Sequence, residues 1–148
     1  MNLFDKNDFE TIQNRIKCVT EKSVRQWGVM TNAQMLAHCS KVLELALNNR
    51  EKQIFLGKLL GAFILKKILN NKGATRKNIK SSKKLFVEIP EEFDAEKTRL
   101  LELFTRFHKN GSAYYENKLH PFFGRLTSRQ WNDLMFRHLD HHLTQFGA

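Results

Sequence analysis

Cysteine is nearly missing from this 148-residue chain. Cys18 and Cys39 are the only two, too few for a disulfide framework, and they read as reduced thiols of a cytoplasmic protein. No secretory leader is recognisable in Met1-Asn2-Leu3-Phe4-Asp5-Lys6, which runs into polar sequence. With two prolines and seven glycines, the chain lacks the turn chemistry of a β-sandwich and the composition of a disordered tail. Apolar–polar alternation is almost absent too, while Leu, Lys, Glu and Gln are plentiful. An all-α protein is expected.

Acidic residues are missing from one stretch only. Between Lys52 and Val87 there are ten Lys and Arg residues and no Asp or Glu; the remainder holds 15 basic against 15 acidic residues. The net charge of +10 therefore belongs to one segment, and a nucleic-acid partner is not expected, since no helix-turn-helix signal accompanies it. A membrane-spanning run is lacking as well. The longest apolar stretch, Ile54 to Leu69, is shorter than the roughly 20 residues a span requires and contains Lys58, Lys66 and Lys67. A chain of this length fits one domain, 1–148, able to bury roughly 68–70% of its unfolded surface.

Two stretches begin alike. Thr127-Ser128-Arg129-Gln130 and Thr31-Asn32-Ala33-Gln34 both have the form of a capping box, a Ser or Thr cap answered three residues later by Gln. Behind the first runs the apolar line Trp131, Leu134, Met135, His138, His142, Phe146; behind the second, Met35, His38, Val42, Leu45. Both spacings keep one helix face toward a core. Histidine thus occupies the buried face of two separate helices.

His138 and His142, four residues apart, place their Cβ atoms roughly 6 Å from each other on one face, close enough to share a transition metal. Leu139, Asp140 and His141 lie between them, without the Glu of the H-E-x-x-H protease helix, so that reading is set aside. A lone histidine on an apolar face is usually a core residue with one satisfied nitrogen. A ligand pair therefore calls for a third partner, and His38 is the candidate. Cys39 beside it diverges by about 100° around the helix and is expected in a neighbouring packing layer.

These residues also carry a resemblance. Trp27-Gly28-Val29-Met30-Thr31 leading to Gln34-Met35-Leu36-Ala37-His38, then His120-Pro121-Phe122-Phe123-Gly124 followed by the Trp131 helix with His138, His141-His142 and Gln145-Phe146-Gly147, resemble the DinB/YfiT-like superfamily, and within it a bacterial group of unknown function. The resemblance covers nearly the whole chain and is strongest in the H-x-x-H-H-x-x-Q ending. It implies an up-down-down-up four-helix bundle, here with an extra short helix and a basic loop between the second and last helices. It also implies a divalent metal held by His38, His138 and His142, with His141 as the non-ligand member of the doublet. Some relatives are transferases or isomerases that use a low-molecular-weight thiol, and hydrolysis is suggested for others. Arg137 stands where thiol-transferring members carry an aromatic residue.

The remaining elements follow in order. Asp5 or Asn7 can cap a first helix through Phe9, Ile12, Ile16 and Val19, and Trp27 is expected to fold over the bundle end. Ile54 to Leu69 predicts a third helix whose surplus apolar surface suits core or homodimer packing, with docking on a membrane surface as the alternative. Asn71 to Lys84 reads as a solvated loop, or else as a cationic lip drawing an anionic substrate toward the histidines. Leu85 to Pro90 is expected as an extended strap. Asp94 can cap a fourth helix ending near Asn110-Gly111, with His108 as a surface or core histidine.

Around the three histidines, Gln145 and Gln34 are candidates to fix an imidazole tautomer from behind, though Gln145 can equally tie two helices together and Gln34 is needed as a cap. His120, in the loop before the last helix, and Trp131 are candidates for the pocket. Three imidazoles suit zinc, nickel, copper or iron, with zinc or nickel placed first, and leave open positions as a catalytic site does. The expectation is a metal-dependent enzyme activating water or a small thiol on a small, anionic or thiol-bearing substrate. The alternative is a non-catalytic binding protein working through the basic, apolar segment 52–87 on an anionic partner.

Overall fold

The protein is described by a computed structural model covering residues 1–48, 52–71 and 85–148. Five helices and one small sheet follow in the order α1 (Lys6–Cys18), α2 (Asn32–Leu47), α3 (Phe55–Asn70), α4 (Phe93–Tyr115), β1 (Lys118–His120), β2 (Gly124–Leu126) and α5 (Ser128–Gln145). Most of the expected basic loop, 72–84, lies outside the described residues.

Both capping boxes form. Thr31 Oγ accepts from the Gln34 N–H at 3.1 Å while Gln34 Oε1 accepts from the Thr31 N–H at 3.0 Å, and Thr127 and Gln130 repeat the exchange at 3.2 and 2.9 Å. Asp5 caps α1 by accepting from the Asn7 and Asp8 amides. These starts set the rotational phase of each helix, and hence which side chains turn inward. The third helix covers the expected stretch Ile54 to Leu69 to within one residue at either end but is not short, and the fourth departs at its start. At sixteen residues, α3 is as long as α2, not a short insertion. Glu92, not Asp94, occupies the cap position of α4, and Asp94 instead lies in the first turn, where its charge complements the helix dipole. Gly111, at φ +70°, ends the regular helix as expected, but one more turn follows to Tyr115.

The core lies among α1, α2, α4 and α5. Residues Met35 to Ser40 of α2 are all buried, because α4 and α5 pack against it. Phe9 stacks on Phe104 at 5.0 Å, and Phe4 on Phe107 at 5.4 Å. His108 is held by the Leu3 carbonyl at 2.8 Å and the Phe9 ring, a core-edge histidine. Lys118 turns inward, donates to the Leu47 carbonyl at 3.0 Å, and lies 3.8 Å from the Tyr114 ring centre, so the buried cation caps the negative end of α2.

The all-α expectation needs one correction. Residues 120–124, expected as a loop, lie in an antiparallel hairpin that pairs Lys118 with Leu126 and His120 with Gly124. Three-residue strands carry too little alternation to be seen in the sequence. Their turn seats α3: the Pro121 carbonyl accepts from the Ile54 N–H at 2.9 Å, and Gly57 and Gly61 lie against the Phe122 backbone so closely that a Cβ at either would overlap its carbonyl oxygen. Gly61→Ala, which would favour an isolated helix by roughly 1 kcal/mol, is expected here to destabilise the protein by about 1–3 kcal/mol. Urea denaturation measures it, and an unchanged or raised midpoint would mean that α3 does not rest on the turn.

Candidate metal centre

His38 comes from the middle of α2 and His138 and His142 from successive turns of α5, so the pairing of these two helices brings the rings together. The ring centres form a nearly equilateral triangle with sides of 4.7 to 4.8 Å. One nitrogen from each lies within 4.8 Å of the others, and Nε2 of His38 is 2.9 Å from Nε2 of His138. No other group of three potential ligand residues converges among the described residues.

Hydrogen bonds fix the protons. His38 Nδ1 lies 2.8 Å from the Leu85 carbonyl, which only accepts, so Nδ1 carries the hydrogen and the Nε2 lone pair faces the cluster. Gln145 does the same for His142: its amide nitrogen donates to the Trp27 carbonyl at 2.7 Å, which turns its oxygen onto His142 Nδ1 at 2.9 Å. With His38 Nε2 bare, His138 must hold its proton on Nε2 and donate it to His38. The triangle therefore faces inward with two lone pairs and one proton. No described residue donates to His142 Nε2.

Burial keeps the rings neutral. Desolvation pushes His138 well below the ordinary histidine range, with the neighbouring imidazoles adding to it, and brings His142 down to about 3. His38 is lowered by burial despite its bond to Leu85, and the charge of Lys41 contributes in the same direction. Neutral nitrogen is the form that binds metal.

The neighbouring candidates divide. Gln145 accepts from His142 and donates to the Trp27 carbonyl, so it ties α5 to the segment between α1 and α2 and not to a second helix. Gln34 does not touch His38; its oxygen serves the cap and its nitrogen donates to the Glu88 carbonyl at 3.0 Å, tying down the segment that supplies Leu85. His141 lies tilted against Trp27, 5.7 Å between centres, outside the triangle. His120 accepts from the Phe122 and Phe123 amides at 3.1 Å through Nδ1 and packs on Trp131, so it shapes the hairpin turn. Trp131 is fully buried and donates to the Lys118 carbonyl, which anchors the hairpin. Cys39 points into the core toward Met35, its thiol pushed up by burial, and is not a ligand. The Leu85 carbonyl was missed because a backbone acceptor leaves no mark in side-chain patterns.

The chain belongs to the family described as "Protein of unknown function (DUF1569)", whose pattern matches residues 3–148 and so takes in all three histidines. No curated protein and no solved structure matches it.

Histidines held below their unfolded value of ~6.5 make the metal-free fold sensitive to acid. Between that value and the folded values, about 3 for His142 and about 4 for His120, the unfolded chain binds protons that the folded one does not. Stability is then full above pH ~6.5 and falls as pH drops, by about 1.4 kcal/mol per pH unit for each such histidine. Denaturation midpoints of chelator-treated protein from pH 7 to 4.5 test this, and a flat profile would show that the rings are accessible to protons in the fold.

Proposed function

We propose that this DUF1569 member is a DinB-like metalloprotein in which α1, α2, α4 and α5 make the up-down-down-up bundle, with α3 added to it. His38, His138 and His142 hold one divalent transition metal, zinc or nickel first. The observation that carries the reading is the convergence of the three imidazoles with His38 and His138 nitrogens 2.9 Å apart. For metal–nitrogen distances of ~2.0–2.1 Å, neighbouring ligand atoms are separated by roughly 2.9 to 3.4 Å as the angle between them opens from a right angle to tetrahedral. The His38–His138 pair already stands at that spacing.

The chain's own groups prepare the site. Leu85 and Gln145 hold His38 and His142 in the ligand tautomer before any ion arrives, which is the part usually played by partners behind metal-binding imidazoles. His138 becomes a ligand by moving its proton from Nε2 to Nδ1. Three neutral ligands leave the charge of an ion uncompensated and its remaining positions open, which suits a hydroxide, a thiolate or another anion. Such an ion supplies acidification of bound water or thiol toward neutral pH. Lys41, whose charge is felt at His38, favours an anionic substrate over a cationic one. We read the protein accordingly as a metal-dependent enzyme activating water or a small thiol.

Elemental analysis of protein purified without an affinity tag tests the site: about one equivalent of a first-row metal in the wild type, absent from His142→Ala. A wild type that stays empty after reconstitution with nickel or zinc would make these core histidines and sink the proposal. Gln145→Leu, which keeps all three imidazoles but removes the acceptor from His142, is expected to weaken metal affinity by about 10- to 100-fold. Competition against a chromogenic chelator reads that loss, and unaltered affinity would mean that Gln145 serves only to tie segments together.

A further inference from the structure

The outer face of α3 is apolar and uncovered among the described residues. Gly57, Gly61 and Leu65 face the protein. On the other side Phe55 is 77%, Leu59 66% and Phe63 71% exposed, with Leu56 and Leu60 beside them. Such a patch, on the order of several hundred Å², exceeds what scattered surface residues explain. Charge is distributed along the helix and not around it. Residues 52–71 hold Lys52, Lys58, Lys66 and Lys67 and no acidic residue, all four lysines being exposed. The apolar group occupies the first two and a half turns, with Lys66 and Lys67 following in the last.

We propose that this face of α3 docks on an anionic lipid surface, with Phe55, Leu59 and Phe63 entering the acyl boundary and the lysines meeting the headgroups. Charge complementarity chooses this occupant. A second copy of the chain would bring a wholly basic segment against another, four lysines to each side and no carboxylate between them. A folded protein partner would need directional contacts to set a register, yet Phe55, Leu56, Leu59, Leu60 and Phe63 offer no side-chain donor or acceptor. An acyl layer needs none, and lysines with long apolar stems reach headgroups from beside buried rings. No described helix is long and apolar enough to cross a membrane, so α3 lies on the surface. The glycines seat its inner side on the Phe122 backbone, and the opposite side is exposed among the described residues. The proposal is independent of the metal site.

Flotation of the full chain with vesicles of equal parts phosphatidylcholine and phosphatidylglycerol, beside vesicles of phosphatidylcholine alone, tests it. Wild type is expected to float with the anionic vesicles, to lose binding as salt rises, and to bind neutral vesicles at least ten-fold more weakly. Phe63→Glu is expected to weaken anionic binding by ten-fold or more, and Lys66→Glu with Lys67→Glu to do likewise. Both variants change exposed side chains, and unchanged thermal midpoints verify that they fold. Failure of the wild type to float, or equal binding to both vesicle types, overturns the proposal. So does a dimer at micromolar concentration that Phe63→Glu dissolves, because the face would then belong to a second copy.

Discussion

The imidazole of His38 gives one nitrogen to the carbonyl of Leu85 and turns the other toward His138, and that division of one ring between two partners makes the rest of the cluster intelligible. A histidine that could flip or charge would not lie beside two others, since three imidazolium ions at these distances would repel strongly in a poorly solvated place. The Leu85 carbonyl fixes the proton on the outer nitrogen and Gln145 fixes it on His142 in the same sense. Each orienting group is itself anchored to another part of the chain: Gln145 to Trp27, and the segment after Leu85 to Gln34 of the α2 cap. The site is thus braced from both sides, His38 by a carbonyl outside α2 and His142 by the last residue of its own helix, which the Trp27 segment holds in turn.

The hairpin sets the other half of the geometry. Trp131, one turn into α5, is tied to Lys118 of β1, and Lys118 is tied to the last carbonyl of α2. These two bonds couple the start of α5 to the end of α2, the same helices that meet again at the histidines. The turn between the strands also carries α3, through Pro121 and Phe122. Further along, Arg137, the neighbour of His138, donates to the Leu69 carbonyl near the C-terminal end of α3. One compact turn, stiffened by His120 accepting two of its amides, therefore positions both the helix that presents histidines and the helix that presents an apolar face.

Much of this was legible in the sequence where side chains repeat with a period. The two T-x-x-Q boxes located the starts of α2 and α5 to the residue, and the threes-and-fours spacing put His38, His138 and His142 on inward faces. The apolar line of α1 was readable for the same reason, whereas α3 showed as a stretch apolar on most sides and Gly111 as a stop signal that one further turn follows. Features built from backbone were not. The hairpin has strands too short to alternate, and the Leu85 carbonyl carries no identity a sequence can display. Trp131 and His120 were expected at the pocket, and the structure places Trp131 in the core and His120 in the hairpin turn; aromatic and imidazole rings look alike as core or cleft residues until their neighbours are known. Glu92 displaced Asp94 at the α4 cap without any side-chain cap bond, so the usual preference for Asp had nothing to act on.

The proton count inside the triangle bears on why histidines stand there at all. Two lone pairs and one N–H face a common point, so one acceptor, His142 Nε2, is left without a protein donor among the described residues. Adding a proton would satisfy it, but burial opposes the resulting charge, as the lowered pKa of His142 records. Leucines at the three positions would pack without this conflict, and a fold selected for stability alone would gain by the exchange. A small cation resolves what a proton cannot, since it can draw on all three nitrogens at once and spread its charge over them. On the proposed reading, an ion shared by the three nitrogens would relieve the unmatched lone pair and so add to the stability of the fold. Orientation by Leu85 and Gln145 keeps the rings from relaxing the conflict by turning outward, so groups outside the triangle would contribute to the affinity of the proposed site.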